Sequence, residues 1–423
     1  TSDIDNGTVV ISLVAQPLSP CAVVATSQVT LQVNYCHELM IPQGWSGLSS
    51  FVNPIDPAME DVFQSVVTDL IILQSLTGFY WPGQQINTIG NWNTQEGYSI
   101  KVTNQIELTI VGSRSSNRTL QLSQGWNLIP VLSECEAEVE ALFADKGVIV
   151  VKEVAGWQLY WPAFSINTLQ ILQPGKAYYV LMGNAETITY PGCTKSGTSS
   201  VINSTNPNMM EIIGNAPWTM TSRSAATHII AFPKQAISES LIKPGDYIGA
   251  FDENGNCYGM ILWENSTMSM MLFGDDPTTA MKDGFTANEP VELRLHVVTT
   301  GTDYTLELTW DASWPQQNGT FAANGISAIA GINLGTALSA EDQSSNKNDV
   351  LIYPNPAGET LFIDLVDQQE IQLIMTDMHG REMLRQKLLT LRNQIDLTVL
   401  RSGIYLLQLE GKDFKRIEKI IKR

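Results

Sequence analysis

The chain has 423 residues and a mass of 46.6 kDa, which exceeds the size at which one hydrophobic core normally stops growing, so we expect several domains. Its 24 Lys and Arg face 43 Asp and Glu, and the net charge of −19 excludes nucleic acid as a partner, because phosphate neutralisation needs a basic surface. Hydrophobic residues make up 43%, and no apolar run reaches the ~18 residues of a membrane span, so the composition predicts a soluble, folded chain. The start at Thr1, without Met or a signal peptide, predicts a processed product or a piece of something longer.

The first 38 residues hold two apolar runs with the period of two that is typical of β-strands, Thr8–Val14 and Val29–Val33. Two strands alone do not form a stable domain, so we expect residues 1–38 to be the end of a truncated immunoglobulin-like module. Cys21 and Cys36 flank the second run. They predict either one disulfide, as in an exported protein, or two small buried apolar side chains.

An internal repeat is the clearest architectural signal. The Tyr-Trp-Pro at 80–82 recurs at 160–162, and the Gly-Trp at 44–45 recurs at 125–126. Such matches at a nearly constant offset indicate duplication, and neither copy is large enough to bury much surface by itself. We therefore expect two tandem β-rich repeats that pack together.

Each repeat is predicted to contain one short amphipathic helix, at Pro57–Leu70 in the first copy and at Glu136–Asp145 in the second. Asp56 is the expected N-cap of the first helix. A closing hairpin between Tyr178–Met182 and Glu186–Tyr190 is expected at the end of the second copy.

The remaining chain divides at two polar linkers, and strand patterns dominate on both sides of the second one. The fold class that we predict is mainly β and multidomain, with a β-sandwich-like middle domain and an immunoglobulin-like β-sandwich at the C-terminus. The predicted divisions are the truncated module 1–38, repeat 1 at 39–115, repeat 2 at 116–193, a linker at 194–208, a β-rich secreted module at 209–336, a linker at 337–347 and a last unit at 348–423.

Four short blocks stand out in the last unit: Val350-Leu-Ile-Tyr-Pro-Asn-Pro356, Asp377-Met-His-Gly380, Ser402-Gly-Ile-Tyr405 and Lys419-Ile-Ile-Lys-Arg423. In this order they resemble the type A C-terminal sorting domain of the Bacteroidetes type IX secretion system. The resemblance implies a seven-stranded immunoglobulin-like sandwich. It also implies that the sorting signal includes Tyr353, Pro354, Asn355, Pro356, Gly380, Gly403, Tyr405, Lys419 and Lys422.

The same resemblance implies a route and partners. The type IX machinery would carry the protein across the outer membrane, and a sortase-like peptidase would remove the domain by cutting within 337–347. The mature protein would then be secreted or attached to surface lipopolysaccharide. The residues alone allow a second interpretation of the basic segment Lys412–Arg423. Its Lys and Arg side chains would protect an edge strand against aggregation, which is compatible with a role in the sorting signal.

A run of alternating oxygen donors suggests a cation site. The residues that could contribute are Asp252, Asn254, Asn256, Asp275 and Asp276. Calcium takes six to eight oxygen ligands, so calcium is the candidate cofactor. The same run is also typical of a hairpin turn without any metal.

The duplicated Tyr-Trp-Pro motif suggests a ligand site. Trp81 and Trp161 have Asn87 and Asn167 close by in sequence, and an exposed ring beside an amide can stack on a sugar. The alternative is that both Trp side chains anchor the small core of their repeat.

Enzyme signatures such as HExxH, GxSxG, a Walker loop or GxGxxG are absent from the sequence, so we expect no catalysis. The predicted function is an exported cell-surface or secreted modular binding and adhesion protein, with glycans or host and matrix proteins as partners. The alternative is the carbohydrate-binding C-terminal region of a larger secreted hydrolase or peptidase whose catalytic domain lies upstream of Thr1.

Overall fold

The computed structural model describes residues 7–20, 23–193, 209–220, 223–238, 240–338, 351–353, 355–365, 371–377, 381–388, 390, 392–411 and 415–422. Cys21, Pro354, Gly380, the linker 194–208 and most of the linker 337–347 lie outside these residues. The chain forms two compact units, Thr1–Ala337 and Leu338–Arg423, each with its own core. Both units are built mainly from β-strands, which confirms the predicted fold class. Within the described residues, no helix is long and apolar enough to cross a membrane.

A separate antiparallel ribbon comes first, formed by β1 (Thr8–Ala15) and β2 (Ala25–Gln32). Alternation places Val9, Ile11 and Leu13 on one side, and Leu13 is 72% exposed. Among the described residues no third strand joins this ribbon.

Repeat 1 is a pair of small sheets around one core. Its strands are β3 (Tyr35–Ile41), β4 (Gly44–Leu48), β5 (Val52–Pro54), β6 (Leu70–Gln74), β7 (Phe79–Trp81), β8 (Ile86–Asn87), β9 (Tyr98–Val102) and β10 (Ile106–Arg114). One sheet has the order β4-β9-β6-β7-β8 and the other β3-β10-β5. The apolar side chains between them, such as Phe63, Tyr98 and Leu108, are fully buried. The first strand begins before the expected boundary at residue 39.

Repeat 2 has the same backbone plan. Its strands are β11 (Thr119–Leu122), β12 (Gly125–Pro130), β13 (Ala137–Glu138), β14 (Val148–Glu153), β15 (Leu159–Trp161), β16 (Ile166–Asn167), β17 (Ile171–Leu172), β18 (Ala177–Met182) and β19 (Glu186–Thr189). The five-stranded sheet β12-β18-β14-β15-β16 matches β4-β9-β6-β7-β8 strand for strand. The Tyr-Trp-Pro motif runs into a 3₁₀ turn in both copies, followed by a left-handed residue, Gln85 (φ 57°) or Ser165 (φ 54°). The duplication is therefore present in the backbone as well as in the sequence.

Two expectations for the repeats are wrong. The helices span only α1 (Met59–Val62) and α2 (Val139–Leu142), and the residue before α1 is Ala58 rather than Asp56. The apolar run Leu70–Gln74 forms strand β6 of the sheet, so the segment before it accommodates only one helical turn, α1. The expected closing hairpin does not form, because β18 pairs with β12 and β14 whereas β19 pairs with β11 in the other sheet.

The cysteines also differ from expectation. Cys135 and Cys193 form a disulfide that joins two ends of repeat 2, with their Cα atoms 5.7 Å apart. Cys36 is a free, exposed thiol, so it is neither bonded to Cys21 nor a buried apolar side chain. Cys257 is free and buried.

The middle module begins with helix α3 (Met209–Asn215) and forms a seven-stranded mixed sheet. Its strands are β20 (Thr227–Phe232), β21 (Tyr247–Phe251), β22 (Cys257–Leu262), β23 (Met268–Phe273), β24 (Glu292–Val297), β25 (Thr302–Trp310) and β26 (Gly325–Leu338), in the order β22-β21-β24-β25-β26-β20-β23. Strand β20 is antiparallel to β23 and parallel to β26, while β21 is antiparallel to both β22 and β24, and β24 is antiparallel to β25. The two edge strands of the sheet, β22 and β23, lie against each other. Gly259 of β22 is so close to β23 that an added Cβ would lie 2.6 Å from the Met271 carbonyl oxygen.

Repeat 2 and the middle module share a hydrophobic interface. Leu159, Trp161 and Ile166 of the repeat pack in one buried cluster with Met271 and Ile326 of the module. This interface decides which faces of the repeats remain open.

Within its described residues, the second unit is a sandwich of seven strands. They are β27 (Leu351–Tyr353), β28 (Thr360–Asp364), β29 (Ile371–Asp377), β30 (Glu382–Leu388), β31 (Arg392–Asp396), β32 (Gly403–Glu410) and β33 (Lys415–Lys422). They form a three-stranded sheet, β27-β28-β31, and a four-stranded sheet, β30-β29-β32-β33. The seven-stranded sandwich expected for the last unit is thus confirmed.

Candidate functional site

Asn355 of the last unit holds the final strand in place. Its Nδ2 donates to the Lys419 carbonyl oxygen at 2.7 Å, and its Oδ1 accepts from the Ile421 amide at 3.0 Å. The next residue but one, Ala357, donates to the Ile421 carbonyl at 2.7 Å. The Asn-Pro block and the basic end, far apart in sequence, therefore form one structural element.

Two tyrosines of the implied sorting signal brace the two sheets. The Tyr405 hydroxyl donates to the Arg401 carbonyl oxygen at 2.9 Å, and its ring is buried in the core. Tyr353 stacks on Phe362 with ring centroids 5.7 Å apart, and Arg392 donates to its hydroxyl. Their roles are to fix the sandwich that presents the edge strand.

The last strand, β33, is an edge of the four-stranded sheet. It pairs with β32 over its whole length, from Gly403 opposite Lys422 to Glu410 opposite Lys415. Its outward residues include Ile417, which is 57% exposed, and the exposed Lys419. Asn355 and Ala357 already hydrogen-bond the backbone of Lys419 and Ile421, so the C-terminal end of this edge is covered within the domain itself.

The two Tyr-Trp-Pro hairpins have different surroundings. Trp161 is 0% exposed and meets Phe164 and Trp314 edge to face, with ring centroids 4.8 and 4.9 Å away. Its ring cannot stack on a ligand, so the predicted ligand role of Trp161 is wrong and the core alternative holds for this copy. The equivalent Trp81 is only partly buried.

The paired asparagines serve the repeats themselves. Asn87 Nδ2 donates to Glu60 Oε1 at 2.9 Å, and its Oδ1 accepts the amides of Ile89 and Gly90. Asn167 reaches Glu140 in the same way, with 3.5 Å between Nδ2 and Oε2. Both asparagines brace the hairpin against the short helix, which explains their recurrence without a ligand.

Repeat 1 carries an open polar pocket at the base of its hairpin. Its volume is about 400 Å³, and its lining is Ser75, Thr77, Thr88, Ile89, Gly90, Asn91, Asn93 and Glu96. Hydroxyl and amide groups dominate this lining, with one carboxylate. On the same hairpin, Ile86 is 39% exposed beside Trp81.

The candidate calcium run forms a turn. Asp252 Oδ1 accepts the amides of Asn254 (3.0 Å) and Asn256 (2.8 Å), and Asn256 Nδ2 donates to Asp252 Oδ2. Lys282 Nζ lies 2.8 Å from the same Oδ2. These hydrogen bonds hold the pKa of Asp252 below its usual range, against the opposing effect of burial. The position that a cation would take is filled by a lysine.

The other candidate calcium ligands serve different contacts. Asp276 Oδ2 accepts from Lys101 Nζ at 2.7 Å and from Trp45 Nε1 at 2.6 Å, so it ties the middle module to repeat 1. Asp275 accepts the Asp283 amide at 2.8 Å. Among the described residues, no group of three or more His, Cys, Asp or Glu side chains is placed to hold a metal. The predicted donors are therefore not brought together as a calcium site.

A buried lysine is a feature that the sequence analysis missed. Lys152 is 0% exposed at the interface of repeat 2 and the middle module. Its Nζ donates to Thr227 Oγ1 and to Asn324 Oδ1, the latter at 3.0 Å, and it lies 4.6 Å from the Tyr179 ring centroid. Burial lowers the pKa of Lys152 to about 7. The sequence feature that could have indicated it is the position of Lys152 within the apolar run Val148–Glu153.

A cleft lies between the two repeats. Its volume is about 310 Å³, and it is lined by residues 37–43, 45–48, 153–157 and 174–178 together with Arg223. This cleft joins edges of both repeats, and no sequence motif predicted it.

Comparison with known proteins gives one family. Residues 351–423 match the family described as "Secretion system C-terminal sorting domain". No curated protein matches the chain.

Two solved structures have low similarity. One is a "Biofilm associated protein - BSP domain", at 9% identity and a TM-score of 0.17, covering 100% of this chain and 69% of that chain. The other is dimeric latent PorU from Porphyromonas gingivalis, at 8% identity and a TM-score of 0.17, covering 86% of this chain and 38% of that chain. At these TM-scores neither structure informs fold or function. The family match identifies residues 351–423 as a type IX secretion sorting domain, and the chain as a cargo protein destined for secretion or the cell surface.

Proposed function

We propose that this cargo protein is a modular binding protein that works in adhesion outside the cell, and that repeat 1 holds a glycan on its Tyr-Trp-Pro hairpin. The observation that carries the proposal is the unequal exposure of one hairpin in two copies. In repeat 2 the middle module covers Trp161 (0% exposed) and Ile166 (5%). In repeat 1 the equivalent Trp81 is partly open and Ile86 is 39% exposed.

The chemistry of this region favours a sugar. An indole face stacks on the apolar face of a pyranose ring, while hydroxyl and amide groups bind its hydroxyls. Both kinds of surface occur on the same hairpin, because Thr88 of the polar pocket lies opposite Phe79 of β7. The pocket of about 400 Å³ is in the range of small-ligand sites.

The duplication supports this proposal, because the two copies of the hairpin can serve different roles. One copy of the hairpin is used to build the body of the protein, and the other copy keeps its surface available. Host or matrix glycoproteins are the partners that this arrangement would suit in adhesion.

The sorting domain also leads us to propose a maturation step. A sortase-like peptidase would cut within 337–347, after which the mature protein would be released or attached to surface lipopolysaccharide. Residues 348–423 carry 11 basic and 11 acidic residues, so the whole net charge of −19 lies in residues 1–347.

The experiment is a glycan array probed with the whole chain, followed by calorimetric titration of the best glycan. Trp81→Ala should weaken binding at least about tenfold, as loss of an aromatic stacking contact does. Val111→Ala, a 38% exposed position on the other sheet of repeat 1, is the control and should bind as the unmodified chain does. Equal binding by the Trp81 variant, or no glycan bound at all, would refute the assignment.

A further inference from the structure

The cleft between the repeats is bordered by the open edge of a strand. Five consecutive residues of β3, His37 to Ile41, line it, and so do Pro42 and Gln43 beyond the end of the strand. When consecutive residues of a strand border a cavity, the cavity faces the edge of the strand, since side chains alone would contact it at alternate positions. β3 ends its sheet, and among the described residues only β10 pairs with it.

An open edge strand has a defined chemistry. Alternate residues of such a strand point their N–H and C=O groups away from the sheet, where another extended chain can pair with them. The part of β3 that borders the cleft, His37 to Ile41, gives about 17 Å of edge. Main-chain pairing of this kind is a known mode of peptide recognition.

The aromatic residues of the cleft already contact other side chains. The Trp157 ring has the Arg223 guanidinium 4.5 Å from its centroid and the Phe273 ring centroid at 6.1 Å. The Trp45 ring is partly buried against an apolar cluster, and its Nε1 donates to Asp276 Oδ2. Arg223 thus covers one face of Trp157, and both rings are less open to sugar stacking than free indoles would be.

The opposite wall is small and apolar near the strand. Ala155 and Ala177 are buried at 6% and 2% exposure, and a Cβ on Gly175 would lie 2.6 Å from the Leu39 side chain. At the mouth, Glu38, Glu153, Lys176 and Arg223 supply two charges of each sign. An incoming strand would thus meet apolar contacts on one side and balanced charges on the other.

We infer that this cleft binds an extended peptide, apolar at every second residue, which adds to the free edge of β3 as a further strand. This site is separate from the glycan hairpin of repeat 1, which lies on the other sheet. Its ligand is a segment of a partner protein, recognised through its main chain with little preference for net charge.

The test starts from a random dodecapeptide phage library selected on the whole chain, with the best sequence made as a fluorescein-labelled peptide. We expect bound peptide to slow amide exchange in residues 37–41. N-methylation of alternate peptide nitrogens should weaken binding about tenfold or more, because two main-chain hydrogen bonds are lost.

Two variants locate the site. Ser46→Trp fills the cleft, and Lys176→Trp blocks its mouth from an exposed position should the first variant fail to fold. Ser113→Trp, exposed on β10 of the same sheet, is the matched control. Both cleft variants should lose peptide binding and the control should keep it. The inference is overturned if no peptide is selected, if exchange in β3 is unchanged, if the N-methylated peptide binds equally, or if the cleft variants lose a glycan instead.

Discussion

Lys152 makes the stability of the first unit depend on pH in a defined direction. The side chain is fully buried between repeat 2 and the middle module, and burial lowers its pKa from 10.5 to about 7. In the unfolded chain the amine holds its proton up to about pH 10.5, whereas in the folded protein it releases the proton near pH 7. Between these values the unfolded state binds more protons, so stability rises with pH. Below pH 7 both states are protonated and this contribution is constant.

The magnitude follows from the shift. Each pH unit inside the window changes the free energy of unfolding by about 1.4 kcal/mol, so two units, from pH 7 to pH 9, give about 2.7 kcal/mol as an upper value. Lys152→Met keeps the apolar stem and removes the titrating group. Since a group of pKa about 7 is already half deprotonated at pH 7, the difference in stability between the unmodified chain and this variant should move by about 2 kcal/mol in favour of Lys152 over that range.

The assay is urea unfolding at pH 7, 8 and 9, followed by Trp fluorescence, with Lys243→Met as the control. Lys243 is exposed, so its substitution should leave the pH dependence unchanged. A difference between the chain and Lys152→Met that stays constant with pH would refute the reasoning. It would mean that the rings of Trp126 and Tyr179 keep the buried amine charged.

Three further outcomes are expected. Asp276→Asn should destabilise the contact of repeat 1 with the middle module by about 3 kcal/mol, because Lys101 is left in a nearly buried site without its carboxylate. Calorimetry should show a lower temperature for the first unfolding transition, and an unchanged temperature would contradict this. Asn355→Ala should lower the melting temperature of the second unit, since two hydrogen bonds to β33 worth about 1 kcal/mol each are lost, and should reduce export measured by immunoblot of the medium. Chelation of calcium should leave the thermal midpoint unchanged, because Lys282 neutralises Asp252; a midpoint that falls with chelator would restore a structural cation site.

Local sequence patterns predicted much of the architecture. The duplication was readable because Tyr-Trp-Pro and Gly-Trp recur at nearly constant spacing, and Asp252 to Asn256 formed the turn that its composition indicates. Strands β23 and β26 have weak strand signals in the sequence, since the first is rich in Met and the second is interrupted by Gly331 and Gly335.

The features that were not predictable depend on contacts between distant residues. Trp161 is buried by Trp314, which comes about 150 residues later, whereas Trp81 has no such neighbour among the described residues. The disulfide joins Cys135 to Cys193, and cysteine connectivity is not determined by spacing. The cleft requires the relative placement of two repeats, which no single repeat encodes.

The central claim is that residues 348–423 send an otherwise folded binding protein out of the cell. Its most direct test is deletion of 348–423 from the gene in the producing bacterium, followed by fractionation and protease treatment of intact cells. The account predicts that the shortened protein accumulates in the periplasm, while the full protein reaches the surface or medium with a new C-terminus within 337–347 by mass spectrometry. Surface display of the shortened protein, or a secreted protein that retains 348–423, would contradict it.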